Sequence, residues 1–166
     1  MAGESEAEKA RQTAYYYLGV RDHTRAELRE KLEKKEYAPE SIEAALAHMQ
    51  RLGLVDDRAF ARRWVERSLQ GKPAGQRKVA LDLRRKGVEA GVIDETLAEF
   101  EGRLGSSEVA VEALRRQQWR YRRLDKERAQ RRMFGFLARR GFDMELARRA
   151  VDQVWKEIEE DGIESD

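Results

Sequence analysis

Two histidines, one pair of adjacent aspartates and one glycine-lysine step are the residues of this chain whose types could act on a small substrate. His23 and His48 stand far apart, without the His-x-x-x-His or Glu-x-x-His spacing that sets ligands on one helix face. His23 falls beside Asp22 and reads as a turn or surface residue, and His48, between Leu46 and Met49, as a partly exposed helix residue. Asp56-Asp57 follows Gly53-Leu54-Val55 and reads as a helix start, where carboxylates satisfy exposed amides and the dipole. Gly71-Lys72 has no glycine pattern before it and Pro73 after it, where a phosphate loop needs Ser or Thr. The absence of cysteine removes disulfides, thiolate metal sites and cysteine nucleophiles. These patterns predict no catalytic residue, no metal and no cofactor, hence no enzyme.

What remains is charge and aromatic surface. Residues 114–123 read Leu-Arg-Arg-Gln-Gln-Trp-Arg-Tyr-Arg-Arg, a run expected to place bases on several faces of one helix around Trp119 and Tyr121. Such a surface holds phosphates by charge and can stack an exposed base; the competing reading puts the aromatic rings in the core. Tyr15-Tyr16-Tyr17 sets rings 100° apart, so all three cannot share one buried face, and Tyr17 fits the apolar stripe. The net charge of +2 hides an asymmetry: three acids lie in residues 1–8 and six in 157–166, and removing those nine leaves the middle near +11. Residues 106–156 hold 14 Lys and Arg against 7 Asp and Glu, so the excess gathers late in the chain. A basic body predicts an acidic partner, nucleic acid or nucleoprotein.

The elements that must carry these charges repeat. Segments 27–49, 78–100 and 132–154 superimpose without gaps at offsets of 51 and 54 residues. Leu28 meets Val79 and Met133, Leu32 meets Leu83 and Leu137, Tyr37 meets Val88 and Phe142, and Lys35 meets Lys86 and Arg140. Within a segment Ile42, Ala45, Leu46 and Met49 recur at helical spacing. Thr24 with Glu27 predicts a capping box, Pro39 a first helical position, Asp125 and Asp143 N-caps, and Gly87 and Gly141 left-handed helix ends. A further amphipathic run precedes each pair, the third and longest carrying Ala110, Ala113, Leu114 and Tyr121.

The expected fold is all-α: three tandem three-helix modules, 9–55, 56–105 and 106–156, in an elongated, curved array between acidic tails 1–8 and 157–166. No apolar stretch reaches bilayer length and the first residues lack the regions of a signal peptide, so a cytoplasmic protein without a membrane role is expected.

In this order, Arg21-Asp22-His23-Thr24-Arg25-Ala26-Glu27-Leu28, Gly53-Leu54-Val55-Asp56-Asp57-Arg58-Ala59-Phe60-Ala61, Gly75-Gln76-Arg77-Lys78-Val79 leading to Lys86-Gly87-Val88, and Phe136-Leu137-Ala138-Arg139-Arg140-Gly141-Phe142 resemble the RecX family from about Lys9 to Trp155. Glu36 departs from the pattern, standing where a glycine is common. The resemblance implies a monomeric regulator that binds the RecA recombinase filament on single-stranded DNA and restrains strand exchange, ATP hydrolysis and co-protease activity without catalysis. Direct contact with single- or double-stranded DNA is a further possibility. Candidate filament or DNA contacts are Arg21, Arg25 and Lys35 in the first module and Arg77, Lys78, Arg84, Arg85 and Lys86 in the second. In the third they are Arg115, Arg116, Arg131, Arg132, Arg139 and Arg140. The alternative is a DNA-binding transcription regulator, against which stands the scarcity of Asn and Gln suited to base reading.

Overall fold

The computed structural model describes residues 5–163, and among them every regular element is helical. The order is α1 (Glu6–Val20), α2 (Arg25–Glu33), α3 (Pro39–Arg51), α4 (Asp57–Gln70), α5 (Gln76–Arg85), α6 (Ala90–Glu99), α7 (Glu101–Leu104), α8 (Ser107–Arg115), the 3-10 turn η1 (Gln118–Arg120), α9 (Lys126–Arg139) and α10 (Met144–Ile163). The repeat falls on the pairs α2–α3, α5–α6 and α9–α10. Its columns are internal: Leu28, Val79 and Met133 are fully buried, as are Leu32, Leu83 and Leu137.

The boundaries follow local chemistry. The Thr24 hydroxyl accepts the Glu27 amide at 3.1 Å while the Glu27 carboxylate accepts the Thr24 amide at 3.2 Å, the reciprocal box that satisfies two orphan donors. Asp125 accepts the Arg128 amide at 3.0 Å, Asp143 the Glu145 amide at 2.9 Å, and Asp56 the Ala59 amide at 3.0 Å. Asp57 serves another helix, accepting the Arg25 amide at 2.9 Å at the start of α2. Burial raises its pKa, with the Arg25 amide and guanidinium pulling the other way.

Three expectations are corrected. His23 is buried rather than superficial: its Nδ1 hydrogen-bonds the Arg21 carbonyl at 2.9 Å, so that nitrogen carries the proton and Nε2 is left buried without a partner among the described residues. Burial lowers its pKa, the bond to the Arg21 carbonyl opposing. The run 114–123 is not one helix, because α8 stops at Arg115 and η1 follows. A continuous helix would stack Arg116 beneath Arg120, a like-charge pair, whereas the break lets the Tyr121 ring pack to 4% exposure. The acidic ends are helical where described. Glu6 opens α1, and α10 runs through Ile163, Glu157 pairing with Arg115 at 2.6 Å and Asp161 with Arg122 at 2.7 Å; residues 1–4 and 164–166 lie outside the described residues.

Contacts divide the chain into two compact units, one of residues 1–63 and 83–93, the other of 64–82 and 94–166. In the first, α1 packs on α3 and α2, with Ala10, Ala14, Leu28, Leu32, Leu46 and Met49 fully enclosed. In the second, α10 packs on α8 and α9 around Leu114, Met133, Leu137, Ala150 and Val154. Full burial of each large aliphatic side chain contributes about 1.5 to 3 kcal/mol.

Each unit contains one copy of the same junction. In the first unit the Thr24 hydroxyl donates to the Lys86 carbonyl at 2.5 Å, and Lys86 Nζ meets Glu27 Oε1 at 3.2 Å. Gly87, at φ +78°, comes so near that a Cβ on it would stand 2.3 Å from the Ala26 Cβ. In the second unit the Gly75 amide donates to the Arg140 carbonyl at 2.8 Å, and Arg140 Nε donates to the Pro73 carbonyl at 3.0 Å. A Cβ on Gly141, at φ +79°, would stand 2.3 Å from the Lys78 amide nitrogen. The offsets pair Thr24 with Gly75, Lys86 with Arg140 and Gly87 with Gly141. The C-terminal turn of one repeat thus seats on the N-cap of the repeat before it. Glu36, the counterpart of both glycines, keeps the left-handed backbone at φ 61° while its side chain is exposed.

Candidate nucleic-acid interface

In the second unit, η1 and the face of α9 enclose a groove. One cavity of about 410 Å³ is lined by Arg120, Arg131, Arg132 and Arg139 over Tyr121 and Phe136. A second, of about 380 Å³, shares Gln117, Arg120 and Phe136 with the first and adds Lys72, Arg116 and Arg140. Neither lining includes a carboxylate. Arg131 pairs with Glu127 at 2.7 Å and Arg116 with Glu112 at 3.3 Å, both exposed helix pairs that hold weakly. Lys72, Arg120, Arg132 and Arg139 have no ion-pair partner among the described residues. Burial raises the pKa of the Tyr121 phenol, opposed by the positive field of Arg120, Arg139 and Arg132.

Trp119 leaves the core altogether and is 69% exposed, with the Arg120 guanidinium 5.1 Å from its ring centroid. Arg120 therefore joins the ring to both cavities.

The remaining predicted contacts stand elsewhere. Arg25 donates to Glu43 at 2.7 Å and Gln50 at 3.2 Å, and Arg21 pairs with Glu27 at 3.0 Å. The Glu27 carboxyl is lowered in pKa: its burial works to raise it, but hydrogen bonds from Arg21, the Thr24 amide and Lys86 outweigh that. Lys86 thus belongs to the first junction. Arg140, although it lines the second cavity, is held by the carbonyls of Pro73 and Lys72. Lys78 is tied to Asp82 at 2.8 Å, Arg77 reaches Asp143 at 3.8 Å, and Arg115 is clasped by Glu157 through Nε and Nη2. Lys35, Arg84 and Arg85 are exposed in the first unit.

Family models described as the first, second and third three-helix domains of RecX match residues 10–49, 56–97 and 107–151. The chain belongs to the RecX family. Regulatory protein RecX of Chlorobium phaeobacteroides strain BS1 is 30% identical over 153 residues, covering 92% of this chain and 98% of that protein. Its counterpart in Streptomyces coelicolor is 36% identical over 154 residues, 93% of this chain and 81% of that one. The crystal structure of RecX from Lactobacillus salivarius aligns with a TM-score of 0.76 at 21% identity, over 93% of this chain and 97% of that one, a likeness of fold.

Within this RecX fold, the groove gathers Arg116, Arg131, Arg132, Arg139 and Arg140 from the predicted set and adds Arg120 and Lys72, which sequence reasoning does not single out. Arg120 is hidden by the assumption of a continuous helix, and Lys72 stands in a step notable only for failing as a phosphate loop. The signal for both is the lack of a nearby acid: Arg120 has no Asp or Glu within four residues on either side.

Proposed function

We propose that this RecX-family chain binds the RecA filament on single-stranded DNA and restrains its strand exchange, ATP hydrolysis and co-protease activity. It acts in the cytoplasm, as a monomer and without catalysis. The observation that carries this reading is the acid-free groove, where Arg120, Arg132 and Arg139 line one cavity and Lys72 and Arg120 the adjoining one, none of the four ion-paired among the described residues. Such a surface fits a negatively charged nucleoprotein. Regulation then follows from preference: a ligand shifts filament states only by binding one better than another. The modules 9–55, 56–105 and 106–156 remain the proposed units of the repeat.

The test is co-sedimentation with RecA filaments on single-stranded DNA beside naked DNA and RecA alone, read together with the rate of ATP hydrolysis. Reversing Arg120, Arg131, Arg132 and Arg139 together is expected to abolish filament retention and flatten its salt dependence. Arg140 is spared because it holds a junction. Reversal of Arg11, Arg29 and Arg51, in the first unit, is the control. Unchanged retention and hydrolysis by the folded groove variant would sink the groove as the contact surface, and retention on naked duplex alone would favour the DNA-binding regulator.

A further inference from the structure

A groove in which Arg120, Arg132 and Arg139 have no ion-pair partner among the described residues asks for anions but does not choose their source: carboxylates of a protein and phosphates of a nucleic acid both satisfy the planar fork of arginine. The indole beside it does choose. Trp119 sits on η1 with 69% of its surface open to solvent, a position that forfeits the burial its size would reward. It is also held in place, since Arg120 packs over the ring at 5.1 Å and the same guanidinium lines both cavities. A flat apolar ring next to a positively charged hollow with room for a phosphate matches the alternation of a single strand, in which each charged phosphate is followed by a flat base. An acidic protein surface supplies the charge but does not by its acidity supply a flat face for the ring to stack on. A duplex supplies phosphates and keeps its bases stacked inside.

We infer that Trp119 and the Arg120–Arg132–Arg139 cavity form a clasp for one unit of single-stranded nucleic acid, a phosphate in the cavity and the neighbouring base on the indole. Tyr121 and Phe136 make the floor: Tyr121 is buried, and Phe136, half-buried, lines both hollows. Gln117, also in both linings, accepts from Arg120 at 3.3 Å through its carbonyl and keeps its amide nitrogen without a partner among the described residues, a spare donor in the wall. Gly135 admits Arg139, for a Cβ there would stand 3.2 Å from its Nη1. The inference rests on the functional reading above in sharing its arginines, and separates from it in requiring a base.

The probes are a short oligothymidylate, an abasic oligomer of equal length and charge, and free thymidine triphosphate, each titrated against the full chain. The oligothymidylate is expected to bind about tenfold more tightly than the abasic strand, the scale of one stacked base. Trp119→Ala removes that difference and leaves abasic binding unchanged, while Trp119→Phe retains most of it. Arg132→Ala weakens both strands and lowers the slope of log affinity against log salt by about 0.7, the value for one phosphate contact on a single strand. Equal affinity of parent and Trp119→Ala for the oligothymidylate overturns the clasp, as does triphosphate competing as well as the oligomer, which would mark a small-nucleotide site. Filament retention without any oligomer binding overturns it in favour of acidic protein while leaving the proposed function standing. Oligomer binding as expected with no filament retention supports the clasp and removes the proposed function.

Discussion

The two junctions solve one packing problem with different materials. At the first, a side chain of the earlier repeat makes the contact: the Thr24 hydroxyl reaches the Lys86 carbonyl, and the would-be neighbour of a Cβ at Gly87 is the small Ala26 side chain. At the second, backbone meets backbone: the Gly75 amide reaches the Arg140 carbonyl, and the neighbours of a Cβ at Gly75 or Gly141 are main-chain atoms at 2.3 Å. Side chains can be traded and backbone cannot. The first junction is therefore the more tolerant of change, and the second requires glycine on both sides.

The largest effect expected from this contrast is at the second junction. Gly75→Ala or Gly141→Ala should each destabilise by about 3 to 5 kcal/mol in urea unfolding, since neither backbone can retreat without breaking the packing around it. No single truncation nearby should restore the loss.

Core truncations come next. Leu32→Ala and Leu137→Ala should each cost about 2 to 5 kcal/mol. Hydrogen exchange should place the lost protection in α1–α3 for the former and α8–α10 for the latter; equal loss in both units would show one cooperative core and erase the distinction between the junctions.

Gly87→Ala is expected to be rescued in part by Ala26→Gly, leaving about 1 to 2 kcal/mol from the left-handed backbone. A double variant no better than Gly87→Ala would show that the two junctions are equally rigid.

Acid should separate the units in direction. A histidine whose pKa is lowered on folding takes up its proton more readily unfolded, so the stability it confers is complete above its unfolded pKa and is lost as pH falls through that range. Both histidines lie in the first unit. Between about pH 7 and pH 5, opening free energies of α2 amides should therefore fall while those of α9 hold, and His23→Gln should flatten the difference. A parallel fall in both units would dismiss His23 as the cause. The smallest change runs the other way: Glu36→Gly should stabilise by about 0.5 to 1 kcal/mol, relieving a left-handed residue that needs no close approach.

Much of this was legible in the sequence because it is local. Capping at Thr24, Asp125 and Asp143, the left-handed turns at Gly87 and Gly141, and the apolar columns all follow from residue type and short spacing. The junctions were not, since Thr24 with Lys86 and Gly75 with Arg140 lie 62 and 65 residues apart and nothing in either stretch names its partner. The candidate groove was half visible. Its arginines announce themselves as an excess, but whether a guanidinium is free or held depends on acids brought in from afar, as Arg115 by Glu157 and Arg25 by Glu43. Trp119 and Tyr121 were ambiguous for the same reason: a break after Arg115 sends one ring out and the other in, and no Gly or Pro marks it.

The junction has two unlike halves, a helix end and an N-cap, and an interface of that head-to-tail kind can extend from molecule to molecule unless its outer halves are altered. Both are. In the third repeat the counterpart of Thr24 and Gly75 is Ala129, which lies within α9 with its amide already given to the Asp125 carbonyl at 2.9 Å, because that helix begins a turn early. In the first repeat Glu36 puts a charged side chain where Gly87 and Gly141 have none. A neighbouring copy of the chain would thus meet neither a free cap nor a bare turn at these two positions, and nothing local to them lets the contact repeat beyond its second use.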